Sequence, residues 1–387
     1  MFALVGARVY DGRRLRDGCA VLVDDSRIVD VVASHDVPAR VERKVVEGLL
    51  APGFIDVQVN GGGGVLFNDV RTAEGIRAIG SAHRAFGTTG YLPTFITDTR
   101  ERMAEAVEAV RQALVERVPG VLGIHLEGPF LNPERKGVHD AALMRPLEDE
   151  DIAILTSLRA GVTHVTLAPE MVPSDAVRRL SAAGVVVSAG HTKADYVTTR
   201  KACDDGLRGF THLFNAMPPL AGRDPGVVGA ALDGGATWCG IIVDGHHVDD
   251  ASLRIAVAAK GPDRMMLVTD AMSSVGSDLT EFNLLGKRVS RADGRLTTAD
   301  GTLAGSDLDM ASAVRNAVER LGLPLTVALG MASLTPAAFL RVDHELGRIA
   351  AGYRASLVLL DDHLTVRNTW IDGTDGNERV GAAGMLA

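Results

Sequence analysis

The chain has 387 residues, of which 46% are hydrophobic, with a formal net charge of −9 and three cysteines. That length and apolar content supply a large core, while the acidic balance and 4% aromatic content lack the basic field and stacking surface of a nucleic-acid binder. Cys19, Cys203 and Cys239 are far apart and form no CxxC pair, which argues against a disulfide framework or thiolate metal site and points to a reducing cytoplasm.

The opening residues, Met1 to Tyr10, show no basic leader and no long apolar core, so secretion is not expected. Short alternating stretches at 7–10, 20–23 and 27–32, separated by Gly and Asp turn signals, predict a small β unit. From Leu49 onward apolar runs alternate with amphipathic stretches, the pattern of βα repeats on a parallel sheet. Strands are predicted near 52–59, 89–96, 120–127, 163–168, 184–190, 208–212, 238–243 and 265–269, with helices such as 71–86, 101–117, 193–205 and 249–260. Eight such strands predict an α/β protein, a (β/α)8 TIM-like barrel over 51–345 with its site at the carboxyl ends of the strands. The run Gly61 to Gly64 reads as a flexible loop after the first strand. The alanine-rich segment 251–259 is broken by Arg254, and no uncharged run approaches the roughly 18 residues needed to span a bilayer, so no membrane association is expected. Beyond the barrel, 347–361 and 369–371 read as strands again. Residues 1–50 and 346–387 are predicted to pair into one small β-sandwich domain, since neither half alone can bury its apolar face.

Four predicted strand ends carry polar groups. Gly123 to Glu127 ends in a carboxylate, the runs reaching His191 and His212 end in imidazoles, and Met266 to Asp270 ends in a second carboxylate. Glu127, His191 and His212 suit a borderline divalent cation, and three protein ligands describe a catalytic site better than a closed structural one. Any one of these histidines alone would more simply be a hydrogen-bonded core residue; their repetition at strand ends favours a metal. His125, two residues before Glu127, shares its face but reads as a core histidine. Asp270 follows an apolar run where an ionised carboxylate is costly unless paired or used, which makes it the candidate general base and acid, with a helix cap or ion pair as the alternative.

Six segments together carry a family resemblance: Pro52 to Asp56, His125 to Phe130, Gly190-His191, Thr211 to Met217, Asp244 to Asp249 and Val268 to Ala271. They resemble the N-acetylglucosamine-6-phosphate deacetylases of the amidohydrolase superfamily across nearly the whole chain. The resemblance implies metal-dependent hydrolysis of the N-acetyl group of N-acetylglucosamine 6-phosphate. It implies one divalent metal per subunit on Glu127, His191 and His212, zinc being the first expectation and iron, manganese or cobalt also suited. Asp270 would activate water and protonate the departing amine. His139 would stabilise the oxyanion, although alone it reads as a surface-loop histidine. Val138, Asn215, Ala216, Leu303, Ala304 and Gly305 would contact substrate, and Arg223 and His247 its phosphate, both reaching from the neighbouring subunit of a homodimer. Taken without the family, Arg223 reads as a solvated turn residue.

Many superfamily members place His-x-His on the first strand and bind two metals, whereas this chain has Gln58-Val59-Asn60; neutral amides are poor zinc ligands, which favours a single metal. The fourth strand, 163–169, lacks a lysine that could bridge two metals, which lowers the reading as a cyclic-amide hydrolase. The competing readings are a different N-acyl amidohydrolase and a catalytically silent sugar-phosphate binder. The polar, turn-rich segment 131–140 reads as a lid that brings His139 into place.

Overall fold

The computed structural model describes residues 1–377. At its centre, eight parallel strands follow one another in chain order: β1 (Phe54–Val59), β2 (Thr88–Ile96), β3 (Gly123–Glu127), β4 (Val162–Leu167), β5 (Val186–Ala189), β6 (Gly209–Phe210), β7 (Trp238–Ile241) and β8 (Met265–Leu267). Every residue of β1, β2 and β3 is buried, as expected where helices cover one face of a parallel sheet and a filled barrel covers the other. The seam between β8 and β1 closes just beyond the end of β8, where Asp270 N donates to Gln58 O at 3.0 Å and Asn60 N donates to Ala271 O at 2.9 Å. The barrel is therefore shut by the backbone of candidate site residues.

All eight strands lie where the apolar runs predicted them. Helices Ala73–Arg84, Arg100–Val115, Tyr196–Asp204 and Asp250–Lys260 start one to three residues from the predicted boundaries or closer, and each is capped by a side chain, Thr72, Thr99, Asp195 and Asp249 respectively, accepting from a first-turn N–H. No helix among the described residues is long and apolar enough to cross a membrane. The three cysteines are free.

Two further sheets are built from the chain ends. One holds Phe2–Val5, Cys19–Asp24, Arg27–Ala33 and Glu42–Val45; the other joins Arg8–Tyr10, Leu15–Arg16 and Leu49–Pro52 to Leu357–Leu360, Val366–Ile371 and Thr374–Asp375. Leu357–Leu360 runs antiparallel to Leu49–Pro52, so the two termini share one sheet. Leu4, Val21 and Ile28 from the first sheet meet Leu50, Leu357 and Trp370 from the second in one apolar cluster. Residues 378–387 of the predicted carboxy-terminal segment lie outside the described residues.

Two segments depart from expectation. The glycine run is not a flexible loop: Gly61–Gly62 pairs with Val65–Leu66 as a short hairpin, and N–H groups of Gly61, Gly63 and Gly64 donate to Ala271, Val275 and Ser273 carbonyls. Glycine is required there by close approach, because a Cβ on Gly61 would stand 2.3 Å from Val65 O and 2.9 Å from Ser273 N. The second departure is a three-stranded antiparallel sheet, Glu281–Leu284, Lys287–Ala292 and Arg295–Thr298, inserted after β8. Its short, mostly polar strands bury only Leu284, Val289, Leu296 and Thr298, too few for a clear strand pattern.

Gly61→Ala is expected to lower the free energy of unfolding by about 1–3 kcal/mol in denaturant titration. An unchanged midpoint would show that the hairpin yields without cost.

Candidate active site

Glu127 is the last residue of β3, and His191, His212 and Asp270 lie just past β5, β6 and β8. The last three adopt left-handed backbone conformations, with φ of 49°, 33° and 55°. Such conformations cost a non-glycine residue on the order of 1–3 kcal/mol and persist where surrounding structure imposes them, characteristically at functional sites. Here each marks a sharp turn from strand to loop at the barrel mouth.

The three candidate ligands converge. His212 Nε2 stands 3.0 Å from both Glu127 Oε1 and His191 Nε2, and His191 Nε2 stands 3.3 Å from Glu127 Oε1. His191 Nδ1 lies 2.8 Å from Arg135 O and donates to it, which leaves the Nε2 lone pair facing the cluster. Ligands at about 2.0–2.2 Å from a tetrahedral zinc lie roughly 3.3–3.6 Å apart, so one carboxylate oxygen and two imidazole nitrogens 3.0–3.3 Å apart come within a few tenths of an ångström of the edges a small divalent cation sets. Glu127, His139 and His191 also offer atoms within 4.8 Å of one another, but the His212 contacts are tighter. Burial would raise the Glu127 pKa, but the close contacts with the His191 and His212 imidazoles outweigh it and hold the carboxyl well below its usual range.

Asp270 is tied to this cluster through amide donors. Gln58 Nε2 donates to Glu127 Oε2 at 3.2 Å and to Asp270 Oδ1 at 3.0 Å, and Asn60 Nδ2 donates to Asp270 Oδ1 at 2.7 Å. Gln58 and Asn60 thus orient carboxylates. Burial and then the charge of Glu127 push Asp270 up to about 6. Beneath it, Asp56 is fully buried, accepts from Gln58 N and from Thr269 N and Oγ1, and is pushed up to about 7 chiefly by burial.

His139 is not a surface residue. It is 2% exposed, and its Nδ1 lies 2.7 Å from Thr97 Oγ1. Segment 131–140 is folded across the cluster and held there: Asn132 N donates to His191 O, Lys287 Nζ from the inserted sheet donates to Val138 O at 3.1 Å, and Asn132 Nδ2 donates to Glu170 Oε1 at 2.9 Å. His125, as expected, lies in the core between Thr94 and Thr166, stacked on His164 with ring centroids 4.1 Å apart.

The cluster floors a cleft of about 220 Å³. Val138, His139, Asn215, Ala216, His247, Leu303 and Gly305, named by the resemblance as substrate contacts, line it. Ala304 does not; its fully buried side chain joins the apolar cluster behind the wall. His247, which the resemblance assigned to a neighbour's site, lines the cleft of its own chain: Asp244 Oδ2 accepts from its Nδ1 at 2.6 Å, and Asp244 Oδ1 accepts from the N–H groups of His246 and His247, folding the turn after β7 inward. Arg223 is exposed on the Ala221–Asp224 turn and does not line its own chain's cleft. Sequence reasoning missed Ile96, Met272 and Thr302 as lining residues, and Thr97 as the partner of His139. Ile96 and Thr97 could have been suspected from their place at the end of β2.

Comparison with known proteins places this geometry in a family. Residues 49–378 match the amidohydrolase family and residues 1–50 match the NagA composite domain. The chain is 45% identical over 371 residues to an N-acetylgalactosamine-6-phosphate deacetylase of Shewanella sp. (strain ANA-3), covering 95% of this chain and 94% of that protein. It is 34% identical over 376 residues to an N-acetylglucosamine-6-phosphate deacetylase of Haemophilus influenzae, covering 96% and 98%. The crystal structure of N-acetylglucosamine-6-phosphate deacetylase from Pasteurella multocida superposes with a TM-score of 0.93 at 37% identity, over 96% of this chain and 98% of that one. With the barrel, the terminal sheets and full-length similarity in agreement, the chain belongs to the amidohydrolase family, among its N-acetylhexosamine-6-phosphate deacetylases.

Proposed function

We propose that this chain hydrolyses the acetamide of an N-acetylhexosamine 6-phosphate, converting N-acetylglucosamine 6-phosphate and water to glucosamine 6-phosphate and acetate. The observation that carries this reading is the convergence of Glu127, His191 and His212 beside Asp270, on the floor of a cleft that His139 and His247 also line. Glu127, His191 and His212 would hold one divalent cation, zinc first, with iron, manganese and cobalt compatible with the same donors. When bound, that cation supplies Lewis acidity toward water and the amide carbonyl.

Asp270 takes a proton from the attacking water as the new C–O bond forms at the carbonyl carbon. The carboxylic acid so formed passes that proton to the sugar nitrogen as the C–N bond breaks. Gln58 and Asn60 fix the carboxylate by donating to Oδ1. His139 stabilises the oxyanion through Nε2–H, the tautomer that results when the Thr97 hydroxyl, 2.7 Å away, donates to Nδ1. Asn215 and Ala216, with Leu303 and Gly305, hold the sugar, and His247 meets the phosphate. Arg223, outside its own cleft, reaches the phosphate bound by a second copy in a homodimer. The 45% identity to a relative named as an N-acetylgalactosamine-6-phosphate deacetylase favours N-acetylgalactosamine 6-phosphate as a second substrate, and both epimers belong in the assay. Acetate release from either phosphosugar, and little from the unphosphorylated sugar, is the expected result; release from none would refute the reading.

Asp270→Asn is expected to keep its metal and lose roughly 10²- to 10⁴-fold in kcat. A near-normal rate would remove Asp270 as the base. His212→Ala is expected to lose both bound metal and activity, measured by elemental analysis alongside turnover. Arg223→Ala should raise KM for the phosphosugar far more than for its unphosphorylated analogue. Equal effects on both would place the phosphate elsewhere.

A further inference from the structure

The cleft has two chemically different sides. On the β6 and β7 side the polar Asn215 and His247 line it beside Ala216. The other side is apolar and is built from three residues adjoining the reacting groups. Ile96 pairs in register with Glu127 and precedes Thr97, the partner of His139; Val138 precedes His139 itself; Met272 lies two residues past Asp270. All three line the cleft yet are nearly buried, and they form one apolar cluster with Leu284, Val289 and Leu296 of the inserted sheet.

Resting on the function proposed above, we infer that Ile96, Val138 and Met272 form the acyl subsite, and that Met272 sets the length of acyl group removed. The scissile amide has to lie between Asp270 and His139, and the phosphate at His247 directs the sugar toward β6 and β7. The acyl methyl group then projects onto the apolar wall. Burying it there is favourable, whereas each additional methylene meets a packed cluster backed by the inserted sheet. Met272 is the adjustable member because its side chain is unbranched and flexible. Its backbone is pinned by N–H donation to Ser306 O at 3.0 Å. Its side chain lies across Gly305, where a Cβ would fall 2.8 Å from Met272 Cγ and 2.5 Å from Cε. Gly305 thus leaves the room that Met272 fills, and truncating Met272 opens the wall directly below the acyl carbon.

The test compares N-acetyl, N-propionyl and N-butyryl forms of the hexosamine 6-phosphate with wild type, Met272→Ala and Met272→Leu. Wild-type acetate release from the N-acetyl compound tests the proposed function itself. The acyl-length preference of the variants tests this inference separately. Met272→Ala is expected to raise the N-butyryl to N-acetyl ratio of kcat/KM by about tenfold or more, the usual scale for a methylene in an apolar pocket, while Met272→Leu keeps the wild-type preference. His247→Ala is expected to raise KM for all three compounds and leave the ratio unchanged. Should Met272→Ala fail to fold by circular dichroism, Ile96→Ala is held to the same criterion. A folded, acetate-releasing Met272→Ala or Ile96→Ala enzyme with an unaltered acyl ratio overturns the assignment.

Discussion

Three candidate ligand atoms, Glu127 Oε1, His191 Nε2 and His212 Nε2, lie within 3.3 Å of one another in a buried pocket, and a second carboxylate shares the Gln58 amide with Glu127. Acceptors so close repel unless a proton or a cation stands between them, and in a low-dielectric interior that repulsion is large. With Nδ1 of His191 committed to Arg135 O, its Nε2 has no proton to offer as a neutral imidazole, and a cation at the centre would satisfy all three atoms at once. The left-handed turns at His191, His212 and Asp270 belong to the same problem: backbone strain is tolerated where it brings these groups together.

The surrounding groups gain meaning from that constraint. Gln58 and Asn60 place N–H donors where an unshielded pair of carboxylates would otherwise face each other. The same strand closes the barrel through Gln58 O and Asn60 N, so the seam and the site are set by one stretch of backbone. The fold over the site has a comparable economy. The inserted sheet holds segment 131–140 through Lys287 and backs the apolar wall through Leu284, Val289 and Leu296.

Much of this was legible in the sequence, for identifiable reasons. Buried strands read as largely apolar runs, so all eight barrel strands could be placed, and polar residues ending such runs marked Glu127, His191, His212 and Asp270. The pairing of the termini followed from two half-sheets that each needed cover. Other features were hidden because they depend on contacts distant in sequence. Gly61 to Gly64 looks flexible until Ala271, Ser273 and Val275 are seen to accept its N–H groups. His139 looks exposed until the fold buries it against Thr97. Nothing in Asp244 to His247 shows that the turn points into its own cleft, since that direction is set by the carboxylate gripping the imidazole and its neighbouring N–H groups.

The central claim is that one cation sits on Glu127, His191 and His212 while Gln58 and Asn60 remain donors to carboxylates. Anomalous X-ray scattering from crystals of the metal-replete protein, collected at the absorption edge of the bound element, addresses it most directly. A single peak bonded to Glu127 Oε1, His191 Nε2 and His212 Nε2 is the predicted result. A second peak bonded through Gln58 or Asn60, or a single peak away from the three ligands, would contradict the account.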